Sequence, residues 1–392
     1  MRILTRYVLS ELLKLFFLIL TGLTLLVFVV LMGKQAVEKG IGLGPLLRMT
    51  PYLLPQALQF TVPGTMLLAT TSVFGRMSSY NEIVAIKSLG ISPMIFIGPT
   101  LALATLVSFA GVALNDLAVS WGQSGMERVF LESIEEVAYG QLRVNHTFTY
   151  GSLTITVRRV EGHKLIQPMM VEQPSEGHKG QFALADEAEL FAYPAEKRIV
   201  ARLHNAEVQS PLKVVYPDWF EWQISLESLS GSPRSRSPSY YALRDIRPAI
   251  VEQRERLEDM QQGMTAAASF AMLSGDFDSL ADDAWKPRER ALSSAKERLQ
   301  RLYTEPWRRW ANGFSCLCFV LIGAPMAVVL RHAEFLATFF ACFLPILVVY
   351  YPLMAVSVDY AKDGTFPPPT VWIGNVVIAL LGAWLMRRVV RY

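Results

Sequence analysis

The sequence predicts an α-helical membrane protein with six transmembrane helices, three on each side of an inserted antiparallel β domain. Three observations carry this. The 392 residues are 52% hydrophobic with a mean hydropathy of +0.30, too apolar for an ordinary soluble domain. Six long runs lack any Asp, Glu, Lys or Arg. The acidic residues concentrate between the third and fourth of these runs.

The charge-free runs are Leu15 to Met32, Met49 to Gly75, Ser88 to Asn115, Trp310 to Leu330, Phe335 to Val358 and Thr365 to Met386. A helix needs about 20 such residues to cross a hydrocarbon core of about 30 Å. Pro51, Pro55 and Pro63 interrupt the second run and "FPPP" opens the sixth. The expected membrane helices there are therefore Gln56 to Phe74 and Thr370 to Met386. Basic residues precede the first run as in a signal peptide, but the run is long enough to span and no small-x-small site follows, so it reads as retained.

Between Asp116 and Arg309 fall 28 of the 34 acidic and 24 of the 37 basic residues, so the middle is net −4 and the remainder net +7. The middle reads as a water-exposed domain. With the N-terminus cytoplasmic, the inner ends hold Arg2, Arg6, Lys14, Arg76, Lys87, Arg331, Arg387, Arg388 and Arg391, and the outer loops only Lys34, Lys39, Arg48 and Lys362. That asymmetry obeys the positive-inside rule and places the middle domain outside. The expected divisions are a membrane half 1–115, a β domain 116–243, a helical connector 244–309 and a second membrane half 310–392.

From about Gly140 to Ile224, segments such as "LTITVRRV" and "FALADEAELFAY" alternate at period two and are broken by Gly, Pro and Asn or Asp, as in an antiparallel sandwich or open barrel. After the Ser/Pro/Arg connector "SLSGSPRSRSPS", Arg244 to Met260 and Pro287 to Tyr303 read as charged helices. The segment between them has no clear period.

The stretch "SSYNEIVAIKSLGISP", Ser78 to Pro93, lies between two spans. Ser79 and Glu82 have capping-box spacing, Gly90 offers a left-handed stop and Pro93 blocks continuation, so a short helix is expected over about 79–90. Its apolar face, Ile83, Val84, Ile86 and Leu89, is too short to cross a membrane. Two readings stand: a helix resting on lipid headgroups, and a cytoplasmic coupling helix that docks a motor protein. Lys34 and Lys39 follow the first span at the expected outer interface, where cations pair with lipid phosphates; Arg48 is a third candidate.

"GRMSSYNEIVAIKSLGIS", preceded by "LLPQALQFTVPGTMLLATTSVFG", resembles the corresponding region of the lipopolysaccharide export permeases LptF and LptG (the YjgP/YjgQ family). "LND" at Leu114 to Asp116, "VLIGAPMAVVLRHAE" and "DGTFPPPTVWIGNVVIALLGAWLMRR" resemble later parts of that family in the same order. Ser120 stands where the family often has a proline, and the 260–287 segment is longer than usual.

The resemblance implies a permease subunit of an ATP-driven exporter in the inner membrane of a Gram-negative bacterium. Lipopolysaccharide would pass from that membrane through a periplasmic β-jellyroll-like domain to a bridge towards the outer membrane. It implies as partners a cytosolic LptB-like ATPase dimer, a second LptF/LptG-type chain, and LptC-like and LptA-like bridge proteins. By the same resemblance Glu82, Ile83, Ala85, Ile86, Leu89 and Gly90 form the coupling helix, and Lys34 contacts the phosphorylated head. Phe28, Leu31, Phe340 and Leu344 suit the lipid cavity and its lateral gate.

The chain contains no G-x-x-x-x-G-K-[ST] loop, so ATP and Mg are expected in the partner and no cofactor in this chain. No catalytic or metal-binding set is expected: the five histidines lack paired ligand spacing, and Cys316, Cys318 and Cys342 lie in apolar runs. No nucleic-acid partner is expected. Asp116 and Asp359 read as interfacial acids. The alternatives are a membrane-anchored β-domain scaffold and a permease for another large amphiphilic lipid.

Overall fold

The computed structural model describes residues 2–39, 42–151, 153–172, 181–193, 198–210, 212–225, 237–275, 282–330 and 335–391. Among these, six helical stretches are long and apolar enough to cross a membrane. The described chain divides into two compact units: 1–27, 55–120 and 238–392 form the first, 28–54 and 121–237 the second.

The helices extend well beyond the charge-free runs. α1 (Arg2–Lys39) and α2 (Leu43–Ser79) have 38 and 37 residues. The expected start of the second span at Gln56 is corrected, since α2 carries Pro51, Pro55 and Pro63 inside it. Membrane helices tolerate proline where polar side chains and neighbouring helices satisfy the freed carbonyls; beyond the prolines, hydroxyls of α2 bond back to its own carbonyls, Thr70 to Met66 O and Thr71 to Leu67 O. The short α3 (Glu82–Ser88) follows, then α4 (Met94–Leu117) and a π-helical turn at Ala118–Gln123 that leads into α5 (Ser124–Glu132). Ser120, where a proline would end the helix, lies within that turn.

The connector is also more helical than its sequence suggests. α7 (Leu243–Ser274) runs into the segment without clear period and is capped by Gly275, which takes φ 72°. α8 (Asp282–Val329) is one helix of 48 residues that unites the second charged helix with the fourth span. The fifth span comprises α9 (Phe335–Pro345), a π-helical turn (Ile346–Tyr350) and α10 (Tyr351–Lys362). This turn begins directly after Pro345, whose missing N–H interrupts the regular ladder. The sixth opens with a 3₁₀ turn at Pro368–Trp372 and continues as α11 (Ile373–Arg391), so its regular helix starts three residues later than expected.

In the first unit, Leu12, Met66, Phe74, Phe96 and Val320 belong to one buried cluster, and Leu67, Phe319, Tyr350 and Ile378 to another. Glycine permits the closest helix approaches. A Cβ on Gly313 of α8 would lie 2.8 Å from the Val112 backbone nitrogen and 3.0 Å from Ser108 O of α4, and one on Gly382 of α11 would lie 2.7 Å from Leu321 O. Small residues at such crossings let backbones pack where lipid leaves no hydrophobic drive between helices.

The second unit contains α5, α6 (Ile134–Asn145) and an antiparallel sheet curled into a half-barrel. Its strands are β1 (Thr147–Tyr150), β2 (Leu153–Thr156), β3 (Arg159–Glu161), β4 (Lys164–Ile166), β5 (Met169–Glu172), β6 (Gln181–Leu184), β7 (Glu187–Tyr193), β8 (Arg198–Ser210) and β9 (Leu212–Ser225). They run in the order β1-β2-β5-β6-β8-β7-β4-β3, with β9 on β8. β8 holds β6 and β7 by its two halves, and a register shift between His204 and Ala206 marks a bulge opposite β9.

Ile134, Val137, Ala138 and Leu142 of α6 pack with Phe148, Ile155, Leu190 and Ile199 of the sheet, and Leu46, Met49 and Leu53 join the same core. Beyond Ala188 the β7 edge facing β4 has no strand partner among the described residues. α6 takes it over: the Tyr139 hydroxyl accepts from Leu190 N–H at 2.9 Å and donates to His163 O at 2.6 Å, and Glu135 accepts from Ala192 N–H at 3.1 Å. Burial raises the Tyr139 pKa above its ordinary value, with the Leu190 N–H opposing the shift.

Gly313→Ala should strain the α4–α8 contact by roughly 1–3 kcal/mol, because backbone atoms line that gap. The expected result is a lower thermal midpoint in detergent; an unchanged midpoint would show that the helices separate without cost.

Candidate functional site

Four polar ties hold the end of the bundle where α1 begins and α2 ends. Arg76 pairs with Glu11 at 2.9 Å, Ser78 donates to Val328 O at 3.0 Å, Thr5 to Ile95 O at 3.4 Å, and Lys87 to Val389 O at 2.7 Å. α3 lies within this frame. It is seven residues long, and its N-cap is Asn81 in the left-handed region at φ 57°, with no side-chain cap. The expected capping box is therefore corrected: Ser79 is the last residue of α2 and its hydroxyl donates to Gly75 O at 2.9 Å. With Ser79 still inside α2, the N-cap position of α3 falls to Asn81 two residues later.

The expected stop at Gly90 is present. Gly90 has φ 76°, its N–H reaches Lys87 O at 2.9 Å, and Ile91 N–H reaches Ile86 O at 3.3 Å, the paired bonds of a Schellman ending. The coupling-helix residues then split by role. Ile83 is 2% exposed and packs in the cluster that holds Val8, Phe74, Phe96 and Met386, with Ile86 against its edge. Ala85, Leu89 and Gly90 are exposed and Glu82 is half-buried. Tyr80 and Val84 are exposed beside them, so the outward surface is more aromatic than the motif alone suggests.

The lipid-contact candidates are dispersed. Lys34 is exposed on α1 and Arg48 is exposed early in α2; the side chain of Lys39, the last residue of α1, lies outside the described residues. Phe28 packs against the core of the second unit and Leu31 is half-buried. Phe340 and Leu344, four residues apart on α9, are 56% and 60% exposed.

One cluster escaped the sequence reading. Arg309 is fully buried and donates to Asp116 Oδ1 at 2.9 Å, to Ser239 O at 3.2 Å and to Tyr241 O. Asp116 Oδ1 also accepts the Leu243 N–H at 2.7 Å. Glu305, 1% exposed, accepts from Ser239 Oγ at 2.8 Å and from both Arg308 donors at 2.8 and 3.2 Å. Asp116, expected as a simple interfacial acid, is thus part of an ion network that fastens the start of α7 to α4 and α8. A basic pair at the mouth of a span was the only local signal, and its partner is 193 residues away.

Six apolar spans and an inserted antiparallel domain define a polytopic membrane protein. The family model described as lipopolysaccharide export system permease LptF/LptG matches residues 6–388, and the chain belongs to this family. It is accordingly a multi-pass inner-membrane protein of the lipopolysaccharide export system. No curated protein matches its sequence.

Arg309→Met would leave the Glu305 carboxylate buried beside Asp116 with one cation fewer, a change expected to cost roughly 3–5 kcal/mol. Thermal unfolding of the detergent-solubilised protein tests this, and a variant as stable as the parent would show that Arg308 alone neutralises the cluster.

Proposed function

We propose that the chain is the membrane-spanning subunit of an ATP-driven exporter that extracts lipopolysaccharide from the inner membrane and delivers it through the β domain to a periplasmic bridge. The observation that carries this reading is α3: a short helix with a fixed ending, anchored inward by Ile83, presenting Tyr80, Val84, Ala85 and Leu89 outward. A helix that only rested on headgroups would not need four polar ties around its base. Seated in such a frame, it passes a push from a cytosolic protein into the spans.

In this reading α3 faces the cytoplasm and the β domain the periplasm, as the distribution of basic residues favours. The motor is an LptB-like ATPase dimer that holds ATP and Mg. A second LptF/LptG-type chain completes the lipid cavity, with Phe28, Leu31, Phe340 and Leu344 on its apolar walls. LptC-like and LptA-like proteins receive the lipid. Lys34 meets the phosphorylated head, with Lys39 and Arg48 as neighbouring cations. A β-domain scaffold needs only one span, and six spans weigh against it. A permease for a different large amphiphile differs only in cargo.

Glu82→Lys should lower ATP-dependent lipid release by on the order of tenfold while the protein stays folded. Release at the parental rate from proteoliposomes would remove Glu82 from the coupling surface. Lys34→Asp should reduce photo-crosslinking of lipopolysaccharide to a probe placed in α1, and an equal yield would take Lys34 off the headgroup path.

A further inference from the structure

We infer that Lys87 is a positioning residue that links α3 to the last span, so that movement of α3 is passed to α11 through the Lys87–Val389 bond beside their shared apolar cluster. This rests on the coupling reading of α3. A helix of seven residues held only by apolar packing, Ile83 in the cluster and Ile86 at its edge, can swivel about those side chains, and a push on its outer face would then be lost as rotation. Lys87 lies one turn after Ile83 on the same face. Its ammonium donates to Val389 O at 2.7 Å.

Val389 is in the last turn of α11, where backbone carbonyls have no partner within the helix and the helix dipole favours a cation. Met386, one turn earlier on α11, belongs to the same packed cluster as Ile83. Ile83 and Met386 thus share one apolar cluster, and a turn further along each helix the polar bond from Lys87 to Val389 O joins α3 to α11 directly.

From α11 the connection continues by close packing. Gly382 lies so near Leu321 of α8 that an added Cβ would come within 2.7 Å of its carbonyl oxygen, and Asn375 Nδ2 donates to Ala311 O at 2.8 Å. A displaced α11 therefore carries α8 with it. Lys87 itself is half-buried with its ammonium engaged, which suits a tie inside the protein better than a contact with the cytosolic partner.

The test uses the complete complex purified from membranes and reconstituted in proteoliposomes containing lipopolysaccharide, with Lys87→Met and Lys87→Arg compared with the parent. Three quantities are read: ATPase co-purified, ATP hydrolysed, and lipid released per ATP. Lys87→Met should keep the first two and lose roughly fivefold or more in the third, and Lys87→Arg should recover most of it. A Lys87→Met complex that releases as much lipid per ATP as the parent overturns the assignment and leaves the coupling reading intact. Loss of the bound ATPase in Lys87→Met would overturn it too, since Lys87 would then serve docking. A parent chain that co-purifies no ATPase would remove the coupling reading and the role of Lys87 together. Should Lys87→Met fail to fold, Lys87→Gln, a shorter neutral donor, is read by the same three quantities.

Discussion

The buried guanidinium of Arg309 is the interaction on which the first unit's architecture depends. Burying a cation is costly unless it is paired and hydrogen-bonded, so the segments that supply acceptors to the two terminal nitrogens of Arg309 are held in place by that demand. Asp116 ends α4, Ser239 and Tyr241 precede α7, and Glu305 lies one turn before Arg309 on α8. A single side chain thereby determines where the polypeptide re-enters the bundle and how α4 and α8 are paired. The glycine contacts at Gly111 and Gly313 continue that pairing along the two helices.

The six spans were legible because a bilayer admits only helices whose side chains tolerate hydrocarbon, and the absence of charge over about 20 residues is a local property. Helix ends were not, because charged residues do not stop a helix. α8 passes through Arg308 and Arg309 without a break, and α7 continues across "GMTAAASFAM" to Gly275. The period-two pattern found the β domain, but strand order depends on pairings that no local pattern encodes. Helices α5 and α6 lie within the 116–243 segment expected to be the β domain, where only the strand-like part had an evident period.

The candidate site was legible to a similar degree. The Gly90 ending follows from local backbone chemistry and was visible; the capping box failed because Ser79 is still inside α2 and Asn81 takes the N-cap position. Which face of α3 turns inward is decided by the cluster around Phe74, Phe96 and Met386, residues distant in sequence. The bond from Lys87 to Val389 spans 302 positions and leaves no trace in either segment. Motifs show that a helix exists; tertiary contacts assign its residues.

The occupation of the β7 edge by α6 has a bearing on assembly. Exposed backbone donors invite any passing strand, and an edge that stays open in solution is a route to disordered association. Here Tyr139 and Glu135 accept from two such donors, the N–H groups of Leu190 and Ala192, from within the same unit. β9 pairs only with β8 among the described strands and carries exposed Val215, Tyr216 and Trp219. The half-barrel thus has its β7 edge closed from within the same unit, while β9 keeps exposed aromatic and aliphatic side chains.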